Sequence, residues 1–530
     1  MILDKDLLSI QEARSLAAKA KEAQLEYKHF SQQQVDKIVK AMAEDGYEAS
    51  EKFAKLACEE SGFGKVEDKI IKNQFSTKNV YESIKNLKTV GIVAEDANGK
   101  VLKIAEPMGV VCALIPSTNP TSTAMFKALI ALKSRNAIVA SPHPKTSKCT
   151  SEALKILSEA AEKAGAPKGL IQCMSEPTIE GTDALMHDKN ISVILATGST
   201  QMVKAAYSAG KPAFGVGPGN VPAFIERTAN FQKAVADIVY GTTFDYGTLC
   251  SSEQSIIVDL PLKEKVMEEA TAKGCYFVTA EEKAKLAKAV QTNLRINPEI
   301  VGKPAAFIAK YAGFTVPEDT KVLIAECIEV GKSEPLSIEK LSPILSLYVV
   351  DGWLEGCHRC IDLLRFGGLG HTMVIHSNDE PIIMKFALEK PAFRILVNTP
   401  ASVGAVGFTT ALDPSMTLGP GTWGGSIVSD NVTAKHLLNI KSLAFETNPI
   451  NAGKSVDKFE TQKYKGGKDW FIREIEERLR ERAGNPPIKE VYTYSEKEKQ
   501  TEEKSEPAKP ITFGSGISEE EINKIIKDFS

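Results

Sequence analysis

Short β-branched runs alternating with amphipathic helices from about residue 90 predict an α/β protein on a parallel, doubly wound sheet. Two observations support that class. Val110-Val111-Cys112-Ala113-Leu114-Ile115 is an unbroken apolar run, as expected for a strand covered on both faces. The runs also hand over to helices through small-residue turns, where α/β folds place their ligands.

The elements follow in order. Residues 7–46 and 49–62 carry apolar side chains at helical spacing and are expected as amphipathic helices. After the strand at 110–115 comes a Pro/Ser/Thr/Asn turn and a helix over 123–134. A strand over 137–140, a helix over 151–164 and strands over 191–196 and 222–225 continue the alternation. A second α/β unit is expected from about residue 240, with strands over 255–258 and 345–350 and helices over 353–366 and 381–388. Past about residue 441 the alternation stops, and residues 469–482 read as one charged helix before the stop Gly484-Asn485-Pro486-Pro487. Residues 495–510 are rich in Lys, Glu and Pro, the composition of a solvated linker. The expected division is therefore 1–239, 240–430, a return segment and helix over 431–485, a linker over 486–516 and a short helix over 517–530.

Composition excludes several classes. A hydrophobic fraction of 43% beside 25% charged residues is that of a soluble globular protein. A net charge of -3 with no Lys/Arg block argues against a nucleic-acid surface. Residues 1–16 lack the apolar core of a signal peptide, and no run approaches a transmembrane length. Nine cysteines without regular spacing fit a reducing, cytoplasmic interior. Cys357 and Cys360 form the only CxxC, with no second pair to complete a zinc site, so no metal is expected.

Cys250 stands in Phe244-Asp245-Tyr246-Gly247-Thr248-Leu249-Cys250-Ser251-Ser252-Glu253-Gln254, where small residues and a glycine allow a tight bend. Such a bend can present a thiol to a cleft, and a thiolate attacks carbonyl carbon readily. The plain alternative is a small buried apolar residue. Thr197-Gly198-Ser199 ends a strand and opens a helix, leaving backbone N–H groups suited to a pyrophosphate. Gly215-Val216-Gly217-Pro218-Gly219-Asn220 is glycine-dense but precedes a strand, which fails the context of a dinucleotide fingerprint. Close backbone packing beside a ligand is the better reading. Asn119, in Ile115-Pro116-Ser117-Thr118-Asn119-Pro120, is either a turn residue or a donor to a developing oxyanion.

Together these segments resemble the aldehyde dehydrogenase superfamily over about residues 5–445, most closely its CoA-acylating branch and the aldehyde half of bifunctional aldehyde–alcohol dehydrogenases. The likeness rests on Ser141-Pro142-His143-Pro144, residues 194–199 with 210–217, the Cys250 stretch, Gly367-Gly368-Leu369-Gly370-His371-Thr372 and Leu418-Gly419-Pro420-Gly421-Thr422-Trp423-Gly424-Gly425. The resemblance implies a Rossmann-like cofactor domain and an α/β catalytic domain. It assigns Cys250 as nucleophile and Asn119 as oxyanion donor beside the Cys250 N–H. His371 becomes a polar contact near the nicotinamide or a proton relay, unless it is structural. Cofactor contacts fall on Ser141, Pro142, Thr197, Gly198, Ser199, Gly217 and Glu339, the last matching the family glutamate on the nicotinamide ribose.

Two departures carry information. Hydrolytic members place a glutamate base where this chain has Val216-Gly217, so a free thiol, coenzyme A, becomes the expected acceptor. Ser141 replaces the lysine many members use near the adenosine ribose, and the acylating branch points to NAD over NADP. The expected reaction is reversible oxidation of a two- or three-carbon aldehyde to acyl-CoA, without an alcohol dehydrogenase half. The rivals are a hydrolytic dehydrogenase and an idle scaffold. A homodimer or homotetramer is expected, with no nucleic-acid or membrane partner.

After the linker, Ser518 and Glu521 form a capping box, and Ile522, Ile525, Ile526 and Phe529 fall on one helical face. A helix this short is marginal alone, so a partner completes its stripe. The segment resembles the encapsulation peptides of bacterial microcompartments, which implies a shell or cargo partner and a lumenal location. The alternative is a helix docked on its own enzyme.

Overall fold

The run from Val110 to Ile115 has no polar side chain to place in water, and it forms the fully buried central strand of a five-stranded sheet. This computed structural model describes residues 4–292, 295–448 and 450. The expected helix at 469–482, the linker at 486–516 and the short helix at 517–530 lie outside the described residues. From Val110–Ile115 the chain steps outward to Ala137–Pro142 and Ile171–Cys173, then returns to the other side with Ile191–Thr197 and Ala213–Val216. All neighbours are parallel. Register sets Ile115 against Pro142, Leu114 against Ala196 and Thr197 against Val216, so the carboxyl ends form one edge at the switch point.

Chain order predicts a second sheet, and it is there. Seven parallel strands run Cys275–Phe277, Val322–Glu326, Ile344–Val350, Glu253–Asp259, Val221–Ile225, Gly370–His376 and Ala392–Val397 across it. The change of unit expected at residue 240 therefore falls inside this sheet: Val221–Ile225 already pairs with Glu253–Asp259 and Gly370–His376. The sheets part between Val216 and Val221, because the glycine-dense link is where the chain can turn between them. Leu438–Ala444, where the alternation stops, pairs antiparallel with Val101–Pro107, which also pairs with Gly91–Glu95.

Two sequence expectations need correction. The helix expected at 7–46 is two, Lys5–Tyr27 and Gln32–Glu48, because Ser31 and Gln34 form a reciprocal capping box that starts a new helix. The helix expected at 123–134 begins earlier, as Pro120–Lys133 with Asn119 at the N-cap. Proline suits the first helical position, where no N–H is needed. All fourteen residues of that helix are buried, lysines included.

One core cluster joins the five-stranded sheet to one face of the seven-stranded sheet. A second lies between the other face and the helix Trp353–Gly367. Cys357 and Cys360 belong to this second cluster as buried free thiols. Among the described residues no helix is long and apolar enough to cross a membrane, and no group of three His, Cys, Asp or Glu side chains could hold a metal ion.

Candidate active site

Cys250 lies just before the strand Glu253–Asp259, and the backbone before it is strained. Asp245 (φ 50°) and Tyr246 (φ 51°) hold left-handed conformations and Gly247 follows at φ 71°. Two non-glycine residues in that region cost of order 1–3 kcal/mol each and persist only where surroundings enforce them. The Asp245 side chain supplies much of that enforcement. It accepts from Lys65 N at 2.7 Å, Lys69 Nζ at 2.9 Å, Thr248 Oγ1 at 2.5 Å and Lys72 Nζ. Asp68 adds a bond to the Asp245 N–H at 2.7 Å. Burial opposes ionisation of Asp245, but the charges of Lys72 and Lys69 outweigh it and hold its pKa below the usual range.

Asn119 meets this loop from the start of the buried helix. Its side chain does not cap that helix. Its Nδ2 donates instead to the Thr248 carbonyl and to Thr118 Oγ1, both at 3.1 Å, while Oδ1 accepts from Lys72 Nζ at 2.5 Å. Asn119 is thus hydrogen-bonded to the Cys250 loop two residues before the thiol.

Gly219 packs against the loop at Cys250. A Cβ there would stand 1.9 Å from the Cys250 carbonyl oxygen and 3.1 Å from His371 Nδ1, so only glycine fits this approach. Its N–H donates to Glu339 Oε1 at 2.7 Å. Burial pushes the Glu339 carboxyl up to about 7. The Cys250 thiol is half-buried and pushed up to about 12, first by desolvation and then by the Glu339 charge. Arg394 and the N–H groups of Cys250 and Ser251 act in the other direction. The thiol therefore carries its proton at neutral pH, and attack requires a group to take it.

His371 is fully buried, and its Nδ1 lies 2.9 Å from Thr372 Oγ1. Its Nε2 has no hydrogen-bond partner. Burial and then the Arg394 charge hold its pKa well below the usual value, so the ring is neutral at pH 7. Arg394, opposite Thr372 in the neighbouring strand, donates to Thr372 Oγ1 at 3.2 Å and to the Gly419 and Ser429 carbonyls at 2.8 and 3.1 Å. Those bonds anchor the segment that carries Leu418 to Gly425.

The positions expected to hold a dinucleotide gather at the carboxyl edge of the five-stranded sheet. Ser141 and Pro142 end one strand, Thr197 ends another, and Ser199 caps the helix Thr200–Ser208 by accepting from Met202 N at 3.4 Å. A Cβ on Gly217 would meet nothing within 4 Å, so the backbone there borders open space. Such an edge with a helix N-terminus suits a pyrophosphate. The Ser141 hydroxyl there is buried and lies 2.7 Å from Thr182 Oγ1.

Sequence reasoning missed Lys69, Lys72, Asp245 and Arg394 as parts of the site. The lysines sit on the helix Val66–Gln74, whose Ile70 and Ile71 are less buried than they are. That inverts the usual amphipathic pattern, and no spacing rule reveals it.

The aldehyde dehydrogenase family model matches residues 6–324. The bifunctional aldehyde-alcohol dehydrogenase of Escherichia coli K12 is 45% identical over 441 residues, 82% of this chain and 50% of that protein. The chain thus spans about half the length of such curated relatives. An acetylating aldehyde dehydrogenase from Geobacillus thermoglucosidasius superposes with a TM-score of 0.83 at 52% identity, covering 85% of this chain and 99% of that one. A propionaldehyde dehydrogenase from the Clostridium phytofermentans fucose utilisation bacterial microcompartment gives 0.74 at 29% identity, covering 82% and 97%.

Proposed function

The chain belongs to the aldehyde dehydrogenase family, and on that premise we propose that it oxidises a short-chain aldehyde reversibly to its acyl-CoA thioester. The observation that carries this reading is a thiol loop held by Asn119 at the Thr248 carbonyl and closely approached at Cys250 by Gly219, which is bonded to Glu339 and lies beside His371. Bound NAD supplies the two-electron oxidant, held at Pro142, Thr197 to Ser199, Gly217 and Glu339.

Cys250 Sγ adds to the aldehyde carbon as the carbonyl π bond breaks, and its proton is lost by way of His371, a neutral ring that passes the proton on rather than holding it. The oxygen becomes the oxyanion of a thiohemiacetal, met by Asn119 Nδ2 and the Cys250 N–H. Oxidation of that carbon leaves a thioester on Cys250, and the thiol of coenzyme A displaces the acyl group to regenerate the cysteine. Val216-Gly217 offers no base to activate water against the thioester. The Glu339 charge acts on the thiol, but one of its oxygens is committed to the Gly219 N–H.

Omitting coenzyme A tests the acceptor. With aldehyde and NAD alone, about one NADH per active site should appear in a burst, followed by very slow turnover, and Cys250→Ala should show no burst. Rapid steady turnover without a thiol would give the reaction to water and overturn the acylating reading.

Two- or three-carbon aldehydes suit a microcompartment, whose shell retains volatile substrates, and the capped apolar stripe of residues 517–530 supports delivery there. The likeness to an enzyme of such a compartment adds to this. A homodimer or homotetramer completes the proposal.

A further inference from the structure

The proposed chemistry leaves unused the buried charges beneath the thiol loop. Lys69, Lys72 and Asp245 are 2%, 4% and 0% exposed, on two elements far apart in sequence. An ammonium group has three donors and no acceptor. Lys72 aims its donors at Asp245 Oδ2, Asn119 Oδ1 at 2.5 Å and Thr248 Oγ1 at 3.4 Å. Asp245 Oδ2 is shared with Lys69, whose Nζ also donates to the Thr118 carbonyl at 3.2 Å.

We propose that Lys72 is a positioning residue for the oxyanion, acting through Asn119. The inference rests on Asn119 being the oxyanion donor. An amide can present oxygen or nitrogen on either side, and only its oxygen can face an ammonium. Lys72 therefore turns the Asn119 Nδ2 hydrogens toward the Cys250 loop. One hydrogen is held by the Thr248 carbonyl, and the other rests on Thr118 Oγ1, a half-buried hydroxyl that can rotate and release it. A flipped amide would oppose its oxygen to the Thr248 carbonyl and to the developing negative charge. The cation also draws electron density toward Oδ1, which makes the Nδ2 hydrogens better donors. This polarising effect gives a charged residue in a buried position a role that packing alone does not supply.

A double-mutant cycle tests the inference on the full chain. Lys72→Met keeps most of the side-chain volume, and Lys69 remains to pair with Asp245. It should lower kcat by about ten- to a hundredfold, with KM for the aldehyde and for NAD changed by less than about threefold. Asn119→Ala alone should cost about a hundredfold or more. In the Asn119→Ala background, Lys72→Met should then cost no more than about a further twofold, since its effect passes through the missing amide. A full, multiplicative loss in that background would overturn the inference while leaving Asn119 in place. An unchanged kcat in Asn119→Ala alone would remove the oxyanion reading itself, and this inference with it. If Lys72→Met shows no cooperative thermal transition, Lys72→Gln, which keeps an N–H donor without the charge, enters the same cycle under the same criteria.

Discussion

Replacing Gly219 with alanine asks whether the position of the thiol loop depends on one close backbone approach. The φ of Gly219 is outside the left-handed region, so alanine brings no backbone strain and the effect is steric. The added Cβ would lie 1.9 Å from the Cys250 carbonyl oxygen and 3.1 Å from His371 Nδ1, whereas ordinary contact begins near 3.4 Å. The Cys250 segment or the glycine-dense link must therefore yield by more than an ångström, and His371 by a few tenths. Misplacement of a reacting group by about 1 Å costs about a hundredfold in rate, and overpacking costs about 1–3 kcal/mol of stability. Gly219→Ala should thus lower kcat about a hundredfold while the protein still folds. NADH absorbance with saturating aldehyde, NAD and coenzyme A measures the first, and urea unfolding the second. A kcat within about threefold of the parent would show that this approach does not set the thiol's position.

Two other outcomes follow from the same structure and sequence. Glu253, fully buried, has its carboxyl pushed up to about 8 by burial, with one oxygen bonded to Ala401 N at 2.5 Å and the other unpartnered. Between the unfolded pKa near 4.5 and the folded pKa near 8, the folded chain holds a proton the unfolded chain has released, so stability falls as pH rises through that window. The loss is on the order of 5 kcal/mol at most, and Glu253→Gln should flatten it; equal slopes of urea midpoint against pH in both proteins would refute this. Deleting residues 517–530 should leave kcat in solution unchanged while abolishing co-sedimentation with a microcompartment shell. Lost activity or stability in the truncated enzyme would make the segment an intramolecular brace.

The sequence by itself determined the α/β class and the position of six of the twelve strands of the two parallel sheets, because an unbroken apolar run such as Val110–Ile115 has few folded states in which all its side chains leave water. It also pointed to Cys250 and Asn119 through the local chemistry of short stretches, while Glu339 and His371 were legible only through the family resemblance. Tertiary structure decided what those motifs could not express. The split of the first helix at residues 28–31 depended on a capping box competing with an otherwise continuous pattern. The division between the sheets, near residue 220 rather than 240, depended on which strand Val221–Ile225 pairs with. Burial of Lys69 and Lys72 depended on Asp245, 176 and 173 residues later, arriving in a left-handed turn to receive them. A charged side chain is read as exposed from local sequence because isolated burial is costly; its distant partner reverses that reading, and only the folded chain brings the partner near.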